Sequence, residues 1–194
     1  GAASGVALEF DVEEDDPSSL RAHADQWDVY CVALAPELPE TIDARGGLVS
    51  EDYAVRGDAV ACFARAAEAT TLLGARSVLL RNASAPAGGA SDPARTGKWR
   101  AEAVEAVVAA LPEGVDLLIA GDPSDGLGAA DVTAAALICG RHGGRARVLL
   151  QGSDSPREGG AAALAAQLLE HGLLGGLTSW YPALSLSYGD EELF

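Results

Sequence analysis

Apolar positions along this chain follow two patterns that alternate from end to end. Short, nearly continuous runs read as strands: Val6-Ala7-Leu8-Glu9-Phe10, Val29 to Leu34, Ser77-Val78-Leu79-Leu80, Val115 to Ile119, Val148-Leu149-Leu150 and Gly176 to Trp180. Between them the apolar spacing turns helical. Asp16-Pro17 supplies an acidic N-cap and a first-turn proline. Ser50 to Asp52 cap a long helix whose stripe is Val55, Ala59, Cys62, Phe63, Ala66, Thr70 and Leu73, with Gly74 as its stop. Further helices are predicted over Lys98 to Leu111, ended by Pro112-Glu113-Gly114, over Gly128 to Cys139, and over Ala161 to Glu170 before Gly172. Pro36 to Gly47 reads as an exposed loop, part of a long connection over 36–50, and Ala83 to Asp92 as a glycine-rich one.

Strands this uniformly apolar are buried on both faces, which requires parallel pairing with helical crossovers. The fold class is therefore α/β, a parallel βα-repeat, either an open doubly wound sheet or a βα-barrel. The 194 residues are expected to form a single domain, with 1–5 a scar or trimmed end and 181–194 a tail.

Composition narrows the function classes. Twenty-nine acidic residues against 13 basic ones give a formal charge of −16, a surface that repels phosphate backbones and anionic lipid. Neither nucleic acid nor membrane is an expected partner; no apolar run is long enough to span a bilayer, and no signal-peptide pattern opens the chain. Cys31, Cys62 and Cys139 are far apart, without CxxC or Cys/His spacing, and read as buried free thiols in a reducing, cytoplasmic compartment.

In either α/β architecture the chemistry gathers at the carboxyl ends of the strands. Those ends carry Glu9, Asp11, Arg81, Asn82, Gly121, Asp122, Gln151, Ser153 and Asp154. There is no histidine among them. His23 and His171 fall on helices and His142 in a glycine-rich turn, where solvation accounts for all three. No GxGxxG or Walker A pattern occurs. Asp122-Pro123-Ser124-Asp125-Gly126 lacks calcium-loop spacing, and Asn82-Ala83-Ser84 is a chance glycosylation triplet. The acidic run Glu13-Glu14-Asp15-Asp16 reads as a solvated turn that favours the helix N-terminus behind it.

The segment Gly47-Leu48-Val49-Ser50-Glu51-Asp52-Tyr53-Ala54-Val55-Arg56, followed by a helix and Leu73-Gly74-Ala75-Arg76-Ser77, resembles the sugar isomerases of the xylose isomerase-like TIM-barrel superfamily, most nearly the bacterial L-rhamnose isomerases. Val6-Ala7-Leu8, Leu20-Arg21-Ala22-His23, Ala110-Leu111-Pro112, Leu118-Ile119, Leu173-Leu174-Gly175-Gly176 and the tail Tyr188-Gly189-Asp190-Glu191-Glu192-Leu193 extend the likeness. The resemblance implies a TIM-barrel-derived sheet of about six βα units, incomplete beside the eight of a closed barrel. It also implies what is missing. The family carries His and then Trp after the first strand, where Glu9 and Val12 stand, and Trp and Asp after the third, where Arg81 and Ser84 stand. Glu-x-Lys of the fourth is replaced by Ala120-Gly121-Asp122, Asp-x-x-His of the fifth by Gln151-Gly152-Ser153-Asp154, and the sixth strand's His by Thr178. Of the ligand positions Asp190 alone is retained.

One carboxylate does not hold the metal that polarises the sugar oxygens in such a hydride shift. The expected function is a non-catalytic, degenerate sugar-isomerase-like protein in a structural or regulatory role, with no cofactor. The alternatives are an aldose–ketose isomerase or epimerase using Mn or another divalent cation at a remodelled site, and a carbohydrate-binding protein. Cleft candidates are Glu9, Arg81, Asp122, Gln151 and Asp154. The missing units expose two sheet edges, to be covered by a homo- or hetero-oligomeric partner or by a curled sheet with its own loop and tail.

Overall fold

The computed structural model describes residues 5–81, 93–121, 139–152, 170 and 174–179. Six strands, β1 (Gly5–Asp11), β2 (Tyr30–Glu37), β3 (Ser77–Leu80), β4 (Asp116–Gly121), β5 (Ala146–Gly152) and β6 (Leu174–Ser179), form one all-parallel sheet in chain order. The helices of the described residues are α1 (Pro17–Gln26), α2 (Glu40–Asp43), α3 (Tyr53–Leu73) and α4 (Pro93–Ala110), and 139–141 close a further helical segment. The α/β, parallel βα-repeat reading of the pattern holds, and a strand lies at each of the six expected places.

The helix signals act as their chemistry requires. Asp16 accepts from the amides of Ser18 and Ser19 ahead of Pro17 at the first position of α1. Asp52 accepts from Ala54 N at 2.8 Å to start α3, and Gly74 ends it at φ 73°, a conformation that costs a residue with a Cβ. Along α3, Val55, Ala59, Cys62, Phe63, Ala66, Ala67, Ala69, Thr70 and Leu73 are buried. Ala59, Phe63, Ala66, Ala67, Ala69 and Leu73 among them, with Phe10, Leu34, Val78, Leu80, Leu117, Ile119 and Val148 from the strands and Val104, Val107 and Leu111 from α4 and its end, form the main core on one face of the sheet. Thr70 satisfies its hydroxyl on Ala66 O at 2.7 Å, so it enters the core without an orphaned donor.

The opposite face carries a second, smaller cluster of Ala33, Ala35, Leu79 and Ala120, with Leu118 and Leu149 against it. Both sheet faces are therefore apolar, as parallel pairing demands. Gly5 opens β1 because a Cβ there would lie 2.2 Å from Val32 Cγ1. The ladder between β1 and β2 shifts register between Val6 and Ala7, and that between β4 and β5 is regular from Leu117–Ala146 to Gly121–Leu150.

The long exposed connection expected over 36–50 is corrected. Pro36 and Glu37 continue β2, α2 follows, and residues 46–50 are buried, with Gly47–Val49 forming a 3-10 turn. Leu38 and Ile42 lean on the main core, Leu48 enters it and Val49 is buried, so apolar side chains at irregular spacing anchor a segment that has no periodicity. Gly46 at φ 92° and Gly47 at φ 48° make the bend. α4 begins at Pro93, five residues before its expected start, since proline is well suited to a first helical turn.

All three cysteines are free and buried, as their apolar settings implied. Burial raises the thiol pKa of Cys31 and pushes that of Cys139 up to about 11. A soluble thiol reagent near neutral pH is expected to label none of the three in the native protein and all three after denaturation, read by mass. Leu117 is fully buried in the main core, and Leu117→Ala is expected to cost about 2–5 kcal/mol in denaturant melts.

Candidate functional site

Side chains alternate along a strand, so the face bearing Ala33, Ala35 and Leu79 continues at the carboxyl ends with Glu9 and Asp11 of β1, Glu37 of β2 and Arg81 just beyond β3. Register fixes this: Glu9 pairs with Ala35, and Asp11 with Glu37. Arg81 Nη1 donates to Glu9 Oε1 at 2.5 Å, bridging two strands that are not themselves hydrogen-bonded. Both side chains are about half exposed, so the pair adds at most about 1 kcal/mol to stability. Its effect is on geometry: it assigns one carboxylate and one guanidinium of the mouth to each other.

The acidic turn after β1 is ordered by its own backbone. Asp11 Oδ1 accepts from Glu13 N at 2.8 Å and Glu14 N at 3.2 Å, and Asp15 Oδ2 accepts from Asp11 N at 2.8 Å. Asp16 takes Ser19 Oγ at 2.8 Å together with the Ser18 and Ser19 amides; these bonds, the Ser19 hydroxyl first, hold its carboxyl below the usual range. Glu13 and Glu14 remain exposed.

Glu37 is the residue that the sequence reading missed. Its carboxyl is pushed above the usual glutamate range, first by partial desolvation and then by Glu9, Asp11 and Asp15, with Arg81 acting in the opposite sense. The available signal was parity, since position 37 lies two and four residues beyond Ala35 and Ala33 on the same face.

Among the expected site residues, Glu9 and Arg81 are thus brought together. Gln151 lies in β5, paired with Thr178 of β6, and Gly121 ends β4. Asn82, Asp122, Ser153, Asp154 and Asp190 lie outside the described residues, as do Ser84, His171 and the 122–126 loop. His23 sits exposed on α1, its Nδ1 2.7 Å from Ser19 O, as expected of a helix-surface residue. His142 is corrected: it is partly buried in the turn before β5, with its Nε2 enclosed and without a partner among the described residues. The turn itself is closed by His142 N donating to Cys139 O and Arg145 N to His142 O.

Among the described residues no three His, Cys, Asp or Glu side chains are grouped so as to hold a metal ion. The carboxylates at the mouth are engaged by Arg81 and by turn amides, and neither described histidine lies at a strand end. This part of the site does not fit a divalent cation. No described helix is long and apolar enough to cross a membrane.

No protein-family model matches the chain, and no curated protein matches it significantly. Solved structures do. An AP endonuclease, family 2, from Brucella melitensis superposes with a TM-score of 0.64 at 15% identity, over 89% of this chain and 67% of that one. D-Psicose 3-epimerase from Clostridium cellulolyticum H10, with D-tagatose, gives 0.63 at 15% identity over 95% and 66%. The 3-keto-D-glucoside 4-epimerase of E. coli gives 0.61 at 9% identity over 89% and 66%. The fold is a partial TIM-barrel-like α/β fold. Its structural neighbours are xylose isomerase-like sugar epimerases and isomerases, and the chain spans 66% of the length of the two epimerases named, so part of each lies outside the match.

In this partial barrel the cluster around Glu37 has a titration signature. A carboxyl whose folded-state pKa is raised binds its proton more tightly in the folded chain than in the unfolded one. Its contribution to stability is present below the ordinary glutamate pKa of 4.5 and is lost as pH rises through the raised folded value. Glu37→Gln removes that loss. The variant is expected to be more stable than the parent near neutral pH by less than about 1 kcal/mol, the side chain being exposed, and equal to it in acid, measured by denaturant melts at the two pH values.

Proposed function

We propose that this chain is a non-catalytic sugar-isomerase-like protein whose strand-end mouth binds a polyol without metal-assisted chemistry. The observation that carries the reading is the Glu9–Arg81 ion pair. Glu9 and Arg81 stand where the resemblance expects His after the first strand and Trp after the third, and the two replacements satisfy each other. A guanidinium and a carboxylate at this spacing offer fixed donors and acceptors to sugar hydroxyls. They supply neither the Lewis acid of a hydride shift nor a free base. Gln151, Asp122 and Asp154, assigned by sequence to neighbouring strand ends, complete the polar rim in this reading, and the buried free thiols fit a reducing, cytoplasmic compartment.

One observation favours a second reading, a metal-dependent aldose–ketose isomerase or epimerase with a remodelled site that includes Asp190. Glu37 holds its proton above the ordinary range, as a general acid or base does. That reading takes Mn or another divalent cation as cofactor.

The two readings part in one experiment. The protein is titrated with Mn²⁺ by electron paramagnetic resonance, and incubated with aldoses and ketoses with and without the metal, products being separated by chromatography. The expected outcome is no retained Mn²⁺ and no interconversion, with weak polyol binding by saturation-transfer NMR that falls about tenfold in Arg81→Ala, the equivalent of one charge-assisted hydrogen bond. Metal-dependent turnover that Glu37→Gln abolishes establishes the enzyme instead.

A further inference from the structure

Large apolar side chains left exposed in a protein rich in charge call for a reason. Among the described residues there are five. Tyr53 is covered on one face by the Arg56 guanidinium, 5.6 Å from the ring centroid. The other four lie together in the topology, at the end where the strands begin. Trp27 (67% exposed) closes α1, Tyr30 (56%) and Val32 (39%) open β2, and Leu72 (64%) is the penultimate residue of α3. Beside them Gly5 opens β1, paired with Tyr30, where a Cβ would run into the Val32 side chain.

β1 stands at one end of the sheet. Its seven residues pair with β2, and among the described residues no strand lies on its other side. An uncovered edge of this length is a template for strand addition. Its two ends differ in chemistry. The amino end is flanked by the apolar group, while the carboxyl end runs into Asp11, Glu13, Glu14, Asp15 and Asp16 with no lysine or arginine in the run. The charged groups facing that end from other elements are Glu37 and Arg81, and Arg81 is paired with Glu9. After partial desolvation, Glu9, Asp11 and Asp15 raise the Glu37 carboxyl pKa and Arg81 opposes them, as a locally acidic surface requires.

This polarity discriminates between occupants. Two copies joined edge to edge about a twofold axis run antiparallel, which sets the apolar end of each β1 against the acidic end of the other. Two chains of formal charge −16 also repel one another. A complementary occupant is apolar at one end and basic at the other.

We propose that β1 is a docking edge for an extended segment of another protein, added as a further strand, apolar where it passes Trp27, Tyr30 and Val32 and lysine- or arginine-bearing where it meets Asp11 to Asp16. Main-chain hydrogen bonds to β1 supply the affinity, and the two ends supply direction and selectivity. This inference concerns a sheet edge whose acidic end adjoins the sugar-binding mouth, and it stands whether or not that mouth is catalytic.

The test uses the full chain and a synthetic peptide of alternating valine and threonine that ends in three lysines, with a control ending in three glutamates. Hydrogen exchange of the outward-pointing amides of Gly5–Asp11, those not bonded to β2, is expected to slow at least about tenfold with the lysine peptide and not with the control. Trp27 emission moves to the blue as the ring is covered. Affinity falls with added salt, and by about tenfold in the exposed-turn variant Glu13→Lys/Glu14→Lys, whose melting is checked against the parent. Four results overturn the proposal: the outward-pointing β1 amides, those not bonded to β2, already protected in a monomer, meaning that the chain covers its own edge; the same amides protected in a homodimer by native mass; equal binding of the two peptides; or no added protection by either.

Discussion

The structure depends on one constraint, that a parallel sheet must be dry on both faces. Helices meet it on one side. α3 lies across β2 and β3 through a row of small residues, Ala59, Ala66, Ala67 and Ala69, which let helix and sheet approach closely while Phe63 and Leu73 fill the spaces between. On the other side, among the described residues, the sheet covers itself: Ala33, Ala35, Leu79 and Ala120 are buried, with the partly buried Leu118 and Leu149 against them. The candidate site is where this inner face stops being apolar.

The two ends of the sheet are specialised differently. At the end where strands begin, arginines tie the units together through helix carbonyls that lack intrahelical partners. Arg21 Nη1 donates to Leu73 O at the end of α3, and Arg145 Nη2 donates to Leu111 O and Pro112 O at the end of α4. Cations there also suit the helix dipole. At the other end, carboxylates outnumber cations and are held by turn amides. Anchoring at one end and polar chemistry at the other is the division of labour of βα-barrels.

Much of this was legible in the sequence, for physical reasons. Each strand announces itself because burial on both faces admits almost nothing polar, and α3 because its stripe keeps helical spacing from Val55 to Leu73. Asp16, Asp52 and Gly74 are where cap chemistry puts them. What escaped lacked periodicity. Leu38, Ile42, Leu48 and Val49 are anchored one at a time, so the segment passed for an exposed loop. Pro36 looked like a strand breaker, yet it pairs with Phe10 near the end of β2 and hides Glu37 one residue beyond. His142 sits in a turn that composition marks as solvated, and the burial of its Nε2 comes from tertiary packing that composition does not carry. In the mouth, Glu9 and Arg81 were nameable as separate strand ends. Their partnership was not, because it spans 72 residues of chain and depends on how the sheet bends.

That bend gives the Glu9–Arg81 pair a mechanical meaning. β1 and β3 are two strand spacings apart, about 9.6 Å on a flat sheet, with β2 between them. A contact between their side chains on the concave side is a chord drawn across an arc, shortest when the arc is tight. The radius of the mouth is thereby coupled to an ion pair that water and salt can reach. Salt that screens this exposed pair loosens the chord while the backbone ladders that set the arc stay intact.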